Sequence, residues 1–235
     1  MSSISHVQIY IQKKFTSIFR NFAIQIAITK IDNHHMSTPS TCRNIAIFAS
    51  GNGSNAENII NYFNSRNDCG MKVVLVVTNR ADAYVIERAT KLGVPTAVMD
   101  RQAMNHQDTM LSVLSSHDVD IIVLAGFLLM VPSFIIKHYH DRIVNIHPSL
   151  LPRHSGKGMY GRYVHQAVLD SGDTETGITI HMVSEEYDSG RIIFQKSIPV
   201  NPADTADDIE RKVRQLEQEH FPKVIKQTFS RHRHS

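Results

Sequence analysis

Cysteine is nearly absent from the chain: Cys42 and Cys69 are the only two in 235 residues. Two thiols without CxxC spacing cannot build a disulfide framework, so the expectation is a cytoplasmic protein with reduced thiols. Long apolar runs are missing too. No stretch approaches the roughly 18 residues that a membrane-spanning helix needs, and no membrane partner is expected. Net charge is scarce where it would matter. The formal charge is +3, and residues 1–35 hold all of it, with Lys13, Lys14, Arg20 and Lys30 against Asp32 alone. Residues 36–235 carry 21 basic and 21 acidic side chains. A balanced body lacks the basic face that nucleic-acid phosphates require, so nucleic acid is not an expected partner.

Metal-ligand spacing is also lacking. The 14 histidines contain no HExxH and no compact His/Cys cluster. His138 and His140 fall at a predicted helix end, and the terminal "RHRHS" reads as a solvated tail, so no metal is expected. What remains is ordinary for a globular chain, 42% hydrophobic and 20% charged, in a length that suits one substantial core. Residues 1–43 differ from that body. "IQKKFTSIFRNFAIQIAITKI" is basic and apolar but has no clean signal-peptide core or cleavage site. A presequence or surface helix is one reading. The others are a disordered extension, or translation upstream of a true start at Met36.

From Asn44 onward apolar runs alternate with helical patterns. "NIAIFAS" (44–50), "MKVVLVVT" (71–78), "PTAVM" (95–99), "VDIIVLAG" (119–126) and "RIVNIH" (142–147) read as strands. Helices are predicted at "NAENIINYFNS", over 81–93, over 103–117 and at "PSFIIKHYHD". Runs that are apolar on both faces predict a parallel sheet covered on both sides. After a Gly-rich loop (155–161) come a helix, "GRYVHQAVLDSG", and two alternating strands, 177–183 and 190–200, read as an antiparallel extension. A long amphipathic helix follows, opened by the capping pair Thr205 and Asp208. The predicted fold is a single α/β domain over 44–228, doubly wound and mainly parallel with antiparallel C-terminal strands, followed by a basic tail at 229–235.

Several positions carry polar chemistry that a core does not need. In "SGNGSNA" (50–56), Gly51 and Gly53 allow close backbone approach, and the helix amides beyond Ser54 and Asn55 suit an anion. The turn reads either as a phosphate cradle or as a tight turn built on glycine. A dinucleotide fingerprint fits poorly, because the second strand ends in Asn79 and Arg80 rather than a carboxylate, and the Lys-Ser/Thr of a P-loop is missing. "FLLMV" (127–131) is either core or an apolar wall at a strand's carboxyl end. Asn145 and His147, two apart on one strand, project to the same face. An amide donor beside an imidazole suits attack on a carbonyl: one steadies an oxyanion, the other moves a proton. His181 and Asp188 could complete the set. Asp188 is either a turn residue or a partner of His147, in which case it would raise the imidazole pKa and hold its proton-donating form. Ser149 has no base placed for it and no assigned role.

Together "NIAIFASGNGSNAENII", "TNRADAYVIERATKLGVP", "VLAGFLLMV", "NIHPSLLP", "GITIHMVSEEYDSGRIIFQ" and "EQEHFPKVI" resemble the folate-dependent formyltransferases, and among them the phosphoribosylglycinamide formyltransferase family. The resemblance covers roughly 44–228. It implies a formyltransferase-like fold and formyl transfer from 10-formyltetrahydrofolate to phosphoribosylglycinamide in purine synthesis, by a monomer or homodimer acting on small molecules. By the same resemblance Asn145, His147 and Asp188 form the catalytic trio, with His147 protonated. Gly53, Ser54 and Asn55 hold the phosphoribosyl group, Glu217 binds the glycinamide end, and Arg214 lies nearby. Leu128, Leu129, Met130 and Val131, with Asn145 and with Ser184, Glu185, Glu186, Tyr187 and Asp188, line the folate pocket. Departures are Leu128-Leu129 where many members have Met-Arg, no evident match near Met104 for an Arg that some members use, and a longer loop at "RHSGKGMYGRYVH". Alternatives are another folate formyl-handling enzyme, such as formyltetrahydrofolate hydrolase, and a nucleotide-binding module without catalysis. The hydrolase would need an N-terminal regulatory domain larger than the extension, and the module would leave the trio without a purpose.

Overall fold

The computed structural model describes residues 42–66 and 70–230. The expectations placed on residues 1–41, on Cys69 and on the end of the tail (231–235) lie outside them. Seven strands form one sheet: β1 Arg43–Phe48, β2 Met71–Thr78, β3 Thr96–Val98, β4 Ile121–Leu124, β5 Ile143–His147, β6 Glu175–Met182 and β7 Ile192–Pro199. Their order is β3-β2-β1-β4-β5-β6-β7. The first five run parallel, while β6 is antiparallel to both β5 and β7. This is the doubly wound, mainly parallel sheet with antiparallel C-terminal strands that the apolar runs predict.

The helices are α1 Ser54–Asn64, α2 Val85–Lys91, α3 Arg101–Asn105, α4 Gln107–Ser116, α5 Ser133–His138, α6 Arg162–Asp170 and α7 Ala206–Phe229. Alternate strand residues feed two cores. Ile45, Ile47, Val123 and Val144 pack on one face with Ile59 and Phe63 of α1 and Ile209, Phe221 and Ile225 of α7. Ala46, Phe48, Ile122 and Ile143 pack on the other with Met110 and Leu114 of α4 and Ile135 of α5. The chain changes face between β3 and β4, so β1 and β4 are neighbours whose connections depart in opposite directions. Such a switch point opens a crevice at the carboxyl ends of the strands.

Local chemistry accounts for the boundaries. The single helix predicted over 103–117 is in fact two, because His106 is extended and its ring Nδ1 accepts from Thr109 N at 3.4 Å as the cap of α4. The helix predicted from 81 begins only at Val85, and β1 begins one residue earlier than expected, at Arg43. Thr205 and Asp208 form the expected capping box of α7. Pro222 within α7 cannot donate to Gln218 O, and Asn58 Nδ2 of α1 takes that carbonyl at 2.8 Å. The carbonyl that the proline leaves free is thereby satisfied, and α7 is tied to α1. Among the described residues no helix is long and apolar enough to cross a membrane.

Candidate active site

A cleft of about 720 Å³ opens over the carboxyl ends of β1, β4 and β5. At its floor Asn145 and His147 leave β5 on one face, and register places them opposite His181 and Thr179 of β6. That pairing explains the amide's orientation. The His181 Nδ1–H donates to Met182 O at 2.9 Å, so its Nε2 lone pair accepts from Asn145 Nδ2 at 3.1 Å. One amide hydrogen of Asn145 is thus used for orientation while the residue still lines the cleft.

His147 is 4% exposed. Its Nε2–H donates to His154 O at 2.8 Å, which leaves Nδ1 facing Asp188 Oδ2 at 3.6 Å. Asp188 adopts a left-handed backbone, φ 52, at the tip of the β6–β7 connection. Its Oδ2 accepts from Gly156 N at 3.0 Å, and its Oδ1 lies 3.7 Å from His181 Nε2. The carboxylate therefore sits between two imidazoles. Burial pushes its pKa up, but His181, His147 and the Gly156 amide outweigh burial and hold it below the ordinary carboxylate range. For His147 the balance is reversed. Burial drives its pKa below the ordinary value; Asp188 raises it, as expected of that pairing, but offsets burial only in part. The His154 carbonyl thus fixes a proton on Nε2 and turns Nδ1 toward Asp188.

The turn after β5 answers for Ser149, which is fully buried. Its Oγ donates to Arg153 O at 2.7 Å, and its carbonyl accepts from Thr179 Oγ1 at 2.7 Å. Thr179 Oγ1 also accepts from Leu151 N, and Gln195 Nε2 donates to Leu151 O, each at 3.0 Å. Ser149 is a brace, and the Leu151–Pro152 bond within the turn is cis.

The "GNGSN" turn lines the same cleft. Gly53 caps α1 with φ 76, and a Cβ there would stand 2.5 Å from Val85 Cγ2, so only glycine fits. Ser54 and Asn55 open α1 into the cleft. Asn55 Nδ2 donates to Glu217 Oε2 at 2.8 Å, while its buried Oδ1 has no partner. Burial pushes the Glu217 carboxyl up, against the opposing pull of Asn55 and Arg214. Arg214 lines the same end of the cleft and pairs with Glu210. The apolar part of the lining is more open: Leu128 and Met130 are 45% and 49% exposed, Leu129 lies between them in sequence, and Tyr187 is 46% exposed. Ser50 Oγ anchors this segment by accepting from Leu128 N at 2.9 Å while donating to Asn79 Oδ1 at 2.6 Å.

Most of the expected residues meet here, with two qualifications. Val131 touches the cleft but is mainly part of the second core. Glu185 is not in the lining, unlike Ser184, Glu186 and Tyr187; it reaches Lys137 at 3.8 Å instead. Two residues were missed. Arg101 lines the cleft although no arginine was expected near Met104, and "DRQAM" placed it three residues upstream. His165 of α6 also lines the cleft, with its pKa lowered by burial and its buried Nδ1 unpartnered. Within "GRYVHQAVLDSG" nothing local in sequence sets it apart.

The formyl transferase family model matches residues 43–225 of the chain. A phosphoribosylglycinamide formyltransferase from Haemophilus influenzae is 36% identical over 188 residues, spanning 78% of this chain and 86% of that protein. The chloroplastic phosphoribosylglycinamide formyltransferase of Arabidopsis thaliana is 38% identical across 78% of this chain, which spans only 64% of that longer protein. Among solved structures, glycinamide ribonucleotide transformylase 1 from Symbiobacterium toebii superposes with a TM-score of 0.72 at 30% identity, covering 82% of this chain and 90% of that one.

Proposed function

The chain belongs to the formyl transferase family, and on that premise we propose that it moves a formyl group from 10-formyltetrahydrofolate to the amine of phosphoribosylglycinamide, a step of purine biosynthesis. The observation that carries this reading is the meeting of Asn145, His147 and Asp188 in one cleft with an anion-suited helix N-terminus and an exposed apolar wall. The acceptor's phosphate goes to Gly53, Ser54 and Asn55, and its glycinamide end lies toward Glu217 and Arg214. The apolar segment from Leu128 to Val131, with Ser184 and Glu186 to Asp188, receives the flat ring system of the donor. Arg101 at the rim suits the donor's carboxylates.

The donor, when bound, supplies a formyl carbon open to nucleophilic attack. Asn145 Nδ2–H donates to the oxyanion that forms as the acceptor amine adds. The neutral His147 ring takes the ammonium proton on Nδ1, and Asp188 stabilises the resulting imidazolium. His147 then returns that proton to the departing folate nitrogen, so one proton passes from acceptor to leaving group and the ring ends neutral. His181 holds the Asn145 amide and His154 O holds the His147 tautomer, so neither group reorganises during the reaction. The balanced charge of the body and its scarce cysteines support a cytoplasmic setting for this chemistry.

Purified chain mixed with a 10-formyl folate and phosphoribosylglycinamide should release deformylated folate, followed by absorbance, only when the ribonucleotide is present. Equal release without it would replace this reading with a hydrolase. No release in either case would leave a binding module.

A further inference from the structure

The phosphate-suited turn is gripped from outside the cleft by α2. Val85 N donates to Gly51 O at 3.1 Å, and the Val85 side chain fills the space beside Gly53. One turn later Arg88 makes a fork onto the turn's middle residue, with Nε donating to Asn52 O at 2.9 Å and Nη2 to Asn52 Oδ1 at 3.0 Å. Its remaining nitrogen, Nη1, pairs with Glu57 in the first turn of α1. The guanidinium lies over the Tyr84 ring, 5.0 Å from the centroid, and both partners of the ion pair are partly buried.

Glu57 poses a problem for an anion site. A carboxylate in the first turn suits the helix dipole, but it competes with a bound phosphate for the same positive field. We propose that Arg88 is a positioning residue for the acceptor's phosphate, fixing the Gly51–Gly53 turn through Asn52 while neutralising Glu57. This rests on the reading that Gly53, Ser54 and Asn55 receive a phosphate. Arg88 makes two contributions through one side chain. Its fork holds the turn in the shape that opens the α1 amides to the cleft, and its charge removes the like-charge repulsion that Glu57 would exert.

The test compares wild type, Arg88→Met, Arg88→Lys and the double variant Arg88→Met/Glu57→Gln in steady-state kinetics. Each uses phosphoribosylglycinamide and, separately, the dephosphorylated ribonucleoside as acceptor. Arg88→Met should raise the ribonucleotide KM about tenfold, with kcat within about twofold and donor KM unchanged. With the ribonucleoside, Arg88→Met and wild type should have the same kcat/KM. The double variant should regain about threefold of the lost KM, because the charge conflict is gone while the grip on Asn52 is not. An unchanged ribonucleotide KM, or equal losses on both acceptors, overturns the proposal. Thermal unfolding checks that each variant folds. Should Arg88→Met fail to fold, Arg88→Lys decides: a KM between wild type and tenfold supports the proposal, and an unchanged KM overturns it. Wild type inactive toward the ribonucleotide would refute the functional reading itself, whereas active wild type with unaltered variants refutes only the role of Arg88.

Discussion

Replacing Asp188 by Asn removes one charge and keeps the shape, including an oxygen able to accept from Gly156 N. The His147–Asp188 separation is 3.6 Å, with both side chains largely buried. At an effective dielectric of about 20, unit charges at that distance attract by roughly 4–5 kcal/mol. The Asn dipole and the rearranged site recover about half, leaving about 2–3 kcal/mol lost from the imidazolium that forms during proton transfer. This corresponds to a drop of about 30- to 150-fold in kcat, with the acceptor KM little altered. The ground-state sign is independent of the rate. Asp188 is the largest influence opposing burial at His147, so its loss should move the imidazole titration further below the ordinary 6.5. Kinetics at saturating substrates give the first quantity, and NMR titration of labelled His147 gives the second. A kcat within threefold of wild type, or a titration midpoint that rises, would show that Asp188 does not stabilise a His147 imidazolium.

Other consequences are open to measurement. Asn145→Ala should lower kcat by about 10²–10³ if its amide is the oxyanion donor; a loss confined to KM would reassign it to binding. Gly53→Ala places a methyl 2.5 Å from Val85 Cγ2 at φ +76, and should cost about 1–3 kcal/mol in urea unfolding as well as raising the acceptor KM. Burial holds the pKa of His165 below 6.5, so the unfolded chain binds a proton that the folded one refuses. Its contribution to stability is complete above about pH 6.5 and declines as pH falls from there toward the lowered folded value. The thermal midpoint should therefore drop more between pH 7 and 5.5 in wild type than in His165→Leu, and equal drops would contradict this.

The strands were legible because apolar runs flanked by turns and helices have few other solutions, and β5 stood out because Asn145 and His147 interrupt such a run. The legible part of the site was the part carried by local sequence: two residues on one strand, and glycines ahead of a helix. What the chain could not reveal depended on partners distant in sequence. The orientation of Asn145 comes from His181, 36 residues away, and the tautomer of His147 comes from the His154 carbonyl. The sign of the His147 shift is a contest between burial and Asp188, and burial is a property of the packed sheet. Ser149 had no role legible in sequence, because its bracing partners Thr179 and Arg153 become neighbours only when the turn closes. Arg88 lies in "IERATK", an ordinary helical face in sequence, and becomes noteworthy only where α2 meets the Asn52 turn.

Direct passage of a formyl group between two small molecules bound in the cleft can be followed in a single turnover. A single turnover with donor carrying carbon-13 in the formyl group, enzyme in excess and phosphoribosylglycinamide present, reads this out by NMR. The formyl signal should leave the folate and appear as an amide on the ribonucleotide, with no free formate. Label recovered as formate, or retained on the folate, would contradict it.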